Sequence, residues 1–310
     1  GVLAVRVLLG DYTVTPVDLV RILRGEMIPV ATFVVMESKL PRAVTALLGG
    51  MCLGAAGALL QDHVRNPVAS PDVLGVTSGA GLGAVVGAVV LDLRGPAVTG
   101  CALAGAVVAT ALVVGLAGRG PRASTRLIVG GVATAAACHA LVQWVLLRSS
   151  ITGAHEALLW VTGSLGAATW DGIRWLALTT LALLPLAVVV GRVSEVTALG
   201  DDLAAGLGVD LRRTRAAVLV LVVLLVAAVC ALTGPIAFVA LLSGPIARRL
   251  LRGRPTVVAA ALVGAITLVT ADHVAAYALP GTNLPVGVVT GAIGAPFLIW
   301  LITRRPTEVR

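Results

Sequence analysis

His139 and Gln143 stand four residues apart inside the apolar run from Leu127 to Leu147, so a helix places both on one face. An imidazole and a carboxamide at that spacing can exchange hydrogen bonds with a polar solute passing between helices. They can equally serve a neighbouring helix. A third polar residue, Asp272, lies near the end of the run from Val257 to Leu279, where a carboxylate could bind a cation or a proton or sit in the interface. An ionisable group within a membrane segment is by default read as functional, which makes these three the candidates for lining or driving a pathway.

Other chemistry is excluded. Lys39 is the only lysine, so no G-x-x-x-x-G-K-[ST] phosphate loop exists and the chain cannot hydrolyse ATP by that route. There is no H-E-x-x-H, no G-x-S-x-G and no cluster of His and carboxylates at ligand spacing, so no catalytic residue, metal site or cofactor is expected. Cys52, Cys101, Cys138 and Cys230 form no C-x-x-C pair and all fall in apolar stretches, as small packing residues do.

The elements that must position these groups are legible from composition. Hydrophobic residues make up 58% of the 310, charged residues 12%, and mean hydropathy is +1.02; soluble domains run near a quarter charged. The class is an all-α polytopic membrane protein, a single transmembrane domain over 1–310. The net charge of +8 would suggest nucleic acid in a soluble protein, but aromatics for base stacking are only 3% and the charges sit between apolar runs, so no nucleic-acid partner is expected. The runs are Val2 to Leu9, Val44 to Leu60, Leu74 to Leu91, Ala97 to Leu116, Leu127 to Leu147, Ile173 to Val190, Ala216 to Leu232, Phe238 to Leu251, Val257 to Leu279 and Val286 to Ile302. They predict about ten spans. The first is too short to cross at about 1.5 Å per residue and is expected to be the end of a truncated helix, and no cleavable signal peptide is visible.

With the first helix starting inside, fifteen Lys and Arg residues fall in inside loops and seven in outside loops, which predicts cytoplasmic N- and C-termini. Trp144, Trp160, Trp170 and Trp175 gather around one outside loop, as an aromatic belt does. Small-residue ridges at Gly79/Gly83/Gly87, Gly50/Gly54 and Gly287/Gly291 predict close helix packing. Between about 194 and 213, Gly200, Asp201, Asp202, Leu203, Leu207 and Gly208 spell a short helix: an Asp to cap it, two Leu at i and i+4, and a Gly to end it.

Seven segments in order carry a resemblance. They are Leu40-Pro41-Arg42, Gly57-Ala58-Leu59-Leu60-Gln61, Arg65-Asn66-Pro67-Val68-Ala69-Ser70-Pro71-Asp72-Val73-Leu74-Gly75, Trp160-Val161-Thr162-Gly163-Ser164-Leu165, Leu199 to Val209, Gly234-Pro235-Ile236-Ala237-Phe238-Val239, and Leu284 to Thr290 with Gly294-Ala295-Pro296-Phe297. Together the chain resembles the FecCD family of ABC permeases for iron-siderophores, haem and cobalamin. The resemblance implies half of a translocation pathway in the bacterial cytoplasmic (inner) membrane. It also implies a second identical or homologous permease subunit, two separate ATPase subunits, and an extracytoplasmic solute-binding protein.

Residue by residue, the resemblance makes Asn66, Val68, Ser124 and Thr125 a cytoplasmic gate and the 200–208 helix the ATPase coupling element. It makes Lys39 and Arg42 docking cations for the binding protein. Two departures stand out: Gly244-Pro245 where the family has Pro-His, and Ala275-Ala276 where an Arg is usual after Asp272. The competing classes are a proton- or ion-coupled secondary transporter using His139 or Asp272, which lacks the internal repeat and paired carboxylates such proteins show, and a membrane enzyme, which lacks a nucleophile and base.

Overall fold

A computed structural model describes residues 2–8, 13–118, 123–149, 160–197, 200–252, 254, 256–278 and 283–303, and among these there are helices and no strands. The helices are α1 (Val2–Leu8), α2 (Pro16–Leu23), α3 (Leu40–Val64), α4 (Val76–Val85), α5 (Pro96–Ala117), α6 (Ala123–Arg148) and α7 (Trp170–Thr197). They continue with α8 (Asp201–Gly206), α9 (Leu211–Thr233), α10 (Val239–Leu250), α11 (Val257–Tyr277) and α12 (Val286–Thr303).

The described residues of each apolar run are largely helical, but the count of about ten spans is not reached by length. Among the described residues, six helices are long and apolar enough to cross a membrane: Ala31–Val64, Pro96–Ala117, Arg126–Arg148, Trp170–Thr197, Leu211–Thr233 and Val257–Tyr277. α10 has 12 residues, about 18 Å at 1.5 Å per residue, well short of a hydrocarbon core of about 30 Å. α4 has 10 residues and a π turn of 5, Val86–Val90, and is short for the same reason. The missing depth is covered by non-helical backbone. A Cβ on Gly75, which enters α4 at φ +72°, would lie 3.4 Å from Thr134 Cγ2 and 3.5 Å from Val113 Cγ2, both well inside their own helices. The loop from Arg65 to Gly75 therefore runs into the bundle, which is permitted where backbone is covered by protein.

α3 is the central helix and packs on α7, α9, α10 and α11. Its glycines explain how: a Cβ on Gly54 would fall 2.2 Å from Ala260 O of α11, and one on Gly57 would fall 1.9 Å from Ala240 O of α10. Side chains are excluded there because the backbones themselves touch. Gly79 and Gly83 do the same for α4 against Gly105 and Cys101 of α5, and Gly287 meets Thr162 O, whereas Gly291 faces open space and is no part of a ridge. Of the cysteines, Cys52, Cys138 and Cys230 are buried and unpaired, in keeping with packing roles.

Two features escaped the apolar-run reading. α2 is a short helix started by Thr15, whose hydroxyl accepts from the Asp18 amide. In addition, α3 extends outward through Ala31–Phe33 and a π turn, Val34–Lys39. Pro41 explains that turn: a proline inside a helix crowds the carbonyl four residues back and removes one hydrogen bond, and a widened turn directly before it accommodates the defect.

Candidate functional sites

The first polar cluster forms where α1, α3 and α11 meet. Arg6 Nε donates to Asp272 Oδ2 and Arg42 Nε to Asp272 Oδ1, both at 2.6 Å, and Arg6 Nη1 reaches the Tyr277 hydroxyl at 3.1 Å. Asp272 is 0% exposed and Arg6 2%. Lys39, 5% exposed, donates its amine to Val7 O at 3.2 Å. α3 begins a further nine residues upstream of Leu40, at Ala31, and the intrachain partner of Arg42 is Asp272; the pairing brings in Arg6, which the charge pattern left aside. Ala275 and Ala276, where an Arg was expected, are buried.

A second cluster joins α3 to α10. Gln61, 2% exposed, donates Nε2 to Leu241 O at 3.1 Å and to Ala69 O at 3.2 Å, while its Oε1 accepts from Arg248 Nη2 at 2.8 Å. Arg248 also pairs with Asp62 at 2.9 Å. The departure at Gly244-Pro245 now has a physical account. Pro245 has no N–H to offer the carbonyl four residues back, which is Leu241 O, and the Gln61 amide supplies the missing donor. A Cβ on residue 244 would fall 2.0 Å from Gln61 Oε1, so glycine leaves room for that amide.

The expected gate residues lie on the loop after α3 and at the start of α6. Asn66 and Val68 are half-buried in an Asx turn, with Val68 N donating to Asn66 Oδ1 at 3.0 Å and Ala69 N to Asn66 O at 3.1 Å. Ser124 and Thr125 begin α6, but their side chains lie outside the described residues. His139 and Gln143 share an exposed face of α6 with Ala136 and Ala140. If that face lines an aqueous path, His139→Cys should react with a membrane-impermeant maleimide in intact proteoliposomes, while Leu178→Cys on the exposed apolar face of α7 should not. Equal protection of the two positions would assign the α6 face to lipid or to a tight protein contact.

Three motif segments meet at another break. Ser164 N donates to Thr233 O at 2.7 Å and Gly287 N to Gly163 O at 3.2 Å. A Cβ on Gly163 would lie 2.2 Å from Pro235 O. The stretches Trp160–Leu165, Gly234–Val239 and the start of α12 are thus one backbone junction, which spacing alone gave no means to see. Trp160 packs against the core and is no belt residue, whereas Trp144 and Trp175 are exposed and Trp170 Nε1 donates to Met36 O at 2.8 Å.

The last cluster surrounds α8. The helix is entered at Gly200 with no side-chain cap, so neither Asp caps it as the spacing predicted. Asp201 instead accepts from Arg65 Nη2 at 3.0 Å and from Arg215 Nη2 at 2.6 Å. The Arg215 hydrogen bond and charge, with Arg65 behind them, hold its carboxyl below the ordinary value. A depressed carboxylate keeps its charge through neutral pH, so these contacts weaken only as pH falls through its lowered range. Asp202 is exposed, Leu203 and Leu207 are 62% and 68% exposed, Ala204 faces inward, and Gly208 ends the helix at φ +84°. Leu199 lies outside the described residues. Among the described residues no group of three His, Cys, Asp or Glu could hold a metal ion.

Residues 1–304 match the model of the FecCD transport family. The chain is 38% identical over 294 residues to a ferric enterobactin transport system permease protein of Escherichia coli (strain K12), covering 94% of this chain and 89% of that one. It is 36% identical over 275 residues to an Fe(3+)-citrate import system permease protein of Bacillus subtilis (strain 168), covering 87% and 82%. A solved structure described as an inward-facing conformation of a metal-chelate type ABC transporter superposes with TM-score 0.83 at 24% identity, covering 98% of this chain and 95% of that one.

Proposed function

The chain belongs to the FecCD transport family, and from that premise we propose that it is the membrane-spanning permease subunit of an ABC importer for a ferric siderophore or a related large metal chelate, the class that includes haem and cobalamin. It is a transport subunit and not an enzyme, and ATP hydrolysis belongs to separate subunits. The observation that carries the reading is the family match over nearly the whole chain, together with relatives named for ferric enterobactin and ferric citrate. A vitamin B12 import permease of Citrobacter koseri, 35% identical over 303 residues, keeps cobalamin in the substrate class. The ion-coupled alternative loses its carboxylate, since Asp272 is already held by two guanidiniums.

The finer reading is a complex of two permeases, identical or homologous, two ATPases and an extracytoplasmic binding protein, in the bacterial inner membrane with both termini cytoplasmic. His139 and Gln143 line the path. Asn66, Val68, Ser124 and Thr125 narrow its cytoplasmic end. Lys39 and Arg42 stay the docking cations for the binding protein; within the chain Lys39 is 5% exposed and Arg42 15%, so Arg42 offers the larger contact. The exposed Leu203 and Leu207 are the natural contact of α8 with a groove on the ATPase, as amphipathic helices use.

The test is transport by the reconstituted complex of a panel of ferric siderophores, haem and cobalamin, with Leu207→Asp as the control on coupling. One chelate should be taken up in an ATP-dependent manner. Leu207→Asp should insert normally yet lose ATPase binding and uptake, because a charge buried in an apolar groove is strongly disfavoured. Uptake of every chelate without ATP would overturn the class, and uptake undiminished by Leu207→Asp would remove α8 from the ATPase contact.

A further inference from the structure

Asp201 lies in the segment read as contacting the ATPase and is 46% exposed, but its carboxylate is taken up by its own chain. Both oxygens are engaged by cations of this chain: Oδ1 by Arg65 at 3.0 Å and Oδ2 by Arg215 at 2.6 Å. Arg65 sits at a singular place. It ends α3 in a left-handed conformation, φ 54° and ψ 37°, and is the first residue of the loop that carries Asn66 and Val68 into the bundle. The same Nη2 that binds Asp201 also donates to Thr197 O, the last residue of α7, at 2.5 Å. One guanidinium therefore fastens the entry of the loop to the end of α7 and to the start of α8, and Arg215 fastens α8 to the first turn of α9.

The loop beyond Arg65 has little freedom to absorb a displacement. Asn66 N is bonded to Gln61 O at 3.0 Å, Val68 N to the Asn66 side chain, and Ala69 O to the Gln61 amide. A shift imposed on Arg65 is thus passed to Val68 rather than lost in a slack chain. We propose that Asp201 is a positioning residue which transmits movement of α8 through Arg65 to the Asn66–Val68 loop, and that it takes no part in holding the ATPase. The exposed leucines hold the partner, and the carboxylate delivers the motion. Asp171, 90% exposed at the start of α7 and paired only with the neighbouring Arg174 among the described residues, serves as the internal comparison.

The inference rests on the reading of α8 as the ATPase contact, and the experiment separates the two. The complete importer carrying Val68→Cys is reconstituted with its ATPases, and two quantities are measured: co-purification of the ATPases, and the ATP-dependent change in Val68→Cys labelling by an impermeant maleimide. Asp201→Asn and Arg65→Gln should each keep the ATPases bound and lose the ATP-dependent change, Asp201→Glu should restore it, and Asp171→Asn should leave it intact. Retention of the change in Asp201→Asn overturns the transmission role and leaves the α8 contact standing. Loss of ATPase binding in Asp201→Asn shows that the carboxylate holds the partner and overturns the assignment as well. A labelling level at Val68→Cys indifferent to ATP in the otherwise native chain sinks both the gate and the link to it.

Discussion

Asp272→Ala is expected to destabilise the solubilised protein by about 3–5 kcal/mol, the range for breaking a buried ion pair from one side. The cause is what it leaves behind. Arg6 is 2% exposed and keeps only the Tyr277 hydroxyl and the face of its ring, 5.2 Å from the guanidinium carbon. Arg42, 15% exposed, can turn its head toward water along its apolar stem, so Arg6 carries most of the effect. Removing both charges should be far milder: Arg6→Met combined with Asp272→Leu replaces the pair with apolar volume, an exchange that is often neutral in protein interiors. Denaturant unfolding in detergent, followed by reactivity of the buried cysteines, measures both. A single variant as stable as the parent would mean that water reaches Arg6.

Gln61→Leu is expected to loosen α10 from α3. It leaves Leu241 O without a donor, since Pro245 has none to give, and also strips Ala69 O and Arg248 of a partner. Each buried group left unsatisfied costs about 1–3 kcal/mol. Gly244→Ala attacks the same contact from the other side, because its Cβ occupies the space of the Gln61 Oε1 atom. The two changes share one interaction, so their combined cost should fall short of the sum of the single costs. Thermal unfolding of the two single variants and the double variant reads this directly, and strict additivity would mean that Gln61 and residue 244 act on separate contacts.

The apolar runs located the helices because hydrophobicity is a local property of the chain, and from Val44 onward the described residues of every run lie within a helix, sometimes with a turn at its edge. Their lengths as spans were less legible. Nothing in Phe238 to Leu251 announces that the backbone before it is extended inside the bundle, because that backbone is satisfied by Trp160–Leu165, some seventy residues away. The same distance hid the ion network. Asp272 was visible as a polar residue in an apolar run, but its partners are 266 and 230 residues earlier, and a pairing of that separation leaves no spacing to count. The two leucines of α8 were readable because i and i+4 is a local rule, whereas the pairing of Asp201 depended on Arg65 and Arg215 and was mistaken for a cap. Gln61 stood within a recognised segment, yet its use became visible only once Pro245 was seen to orphan the carbonyl it serves.

Lys39 gives this chain an unusual analytical property. The only ε-amine in the 310 residues is 5% exposed and bonded to the Val7 carbonyl, so acylating reagents should pass over this side chain in the folded protein and mark it only when α1 lifts away. A single mass shift on the tryptic peptide that carries it then becomes a clock for that opening, free of background from any other lysine side chain and distinct in mass from a modified α-amine. Coupling and crosslinking chemistries that rely on lysine side chains will, by the same token, find their one side-chain target in this protein's opened form.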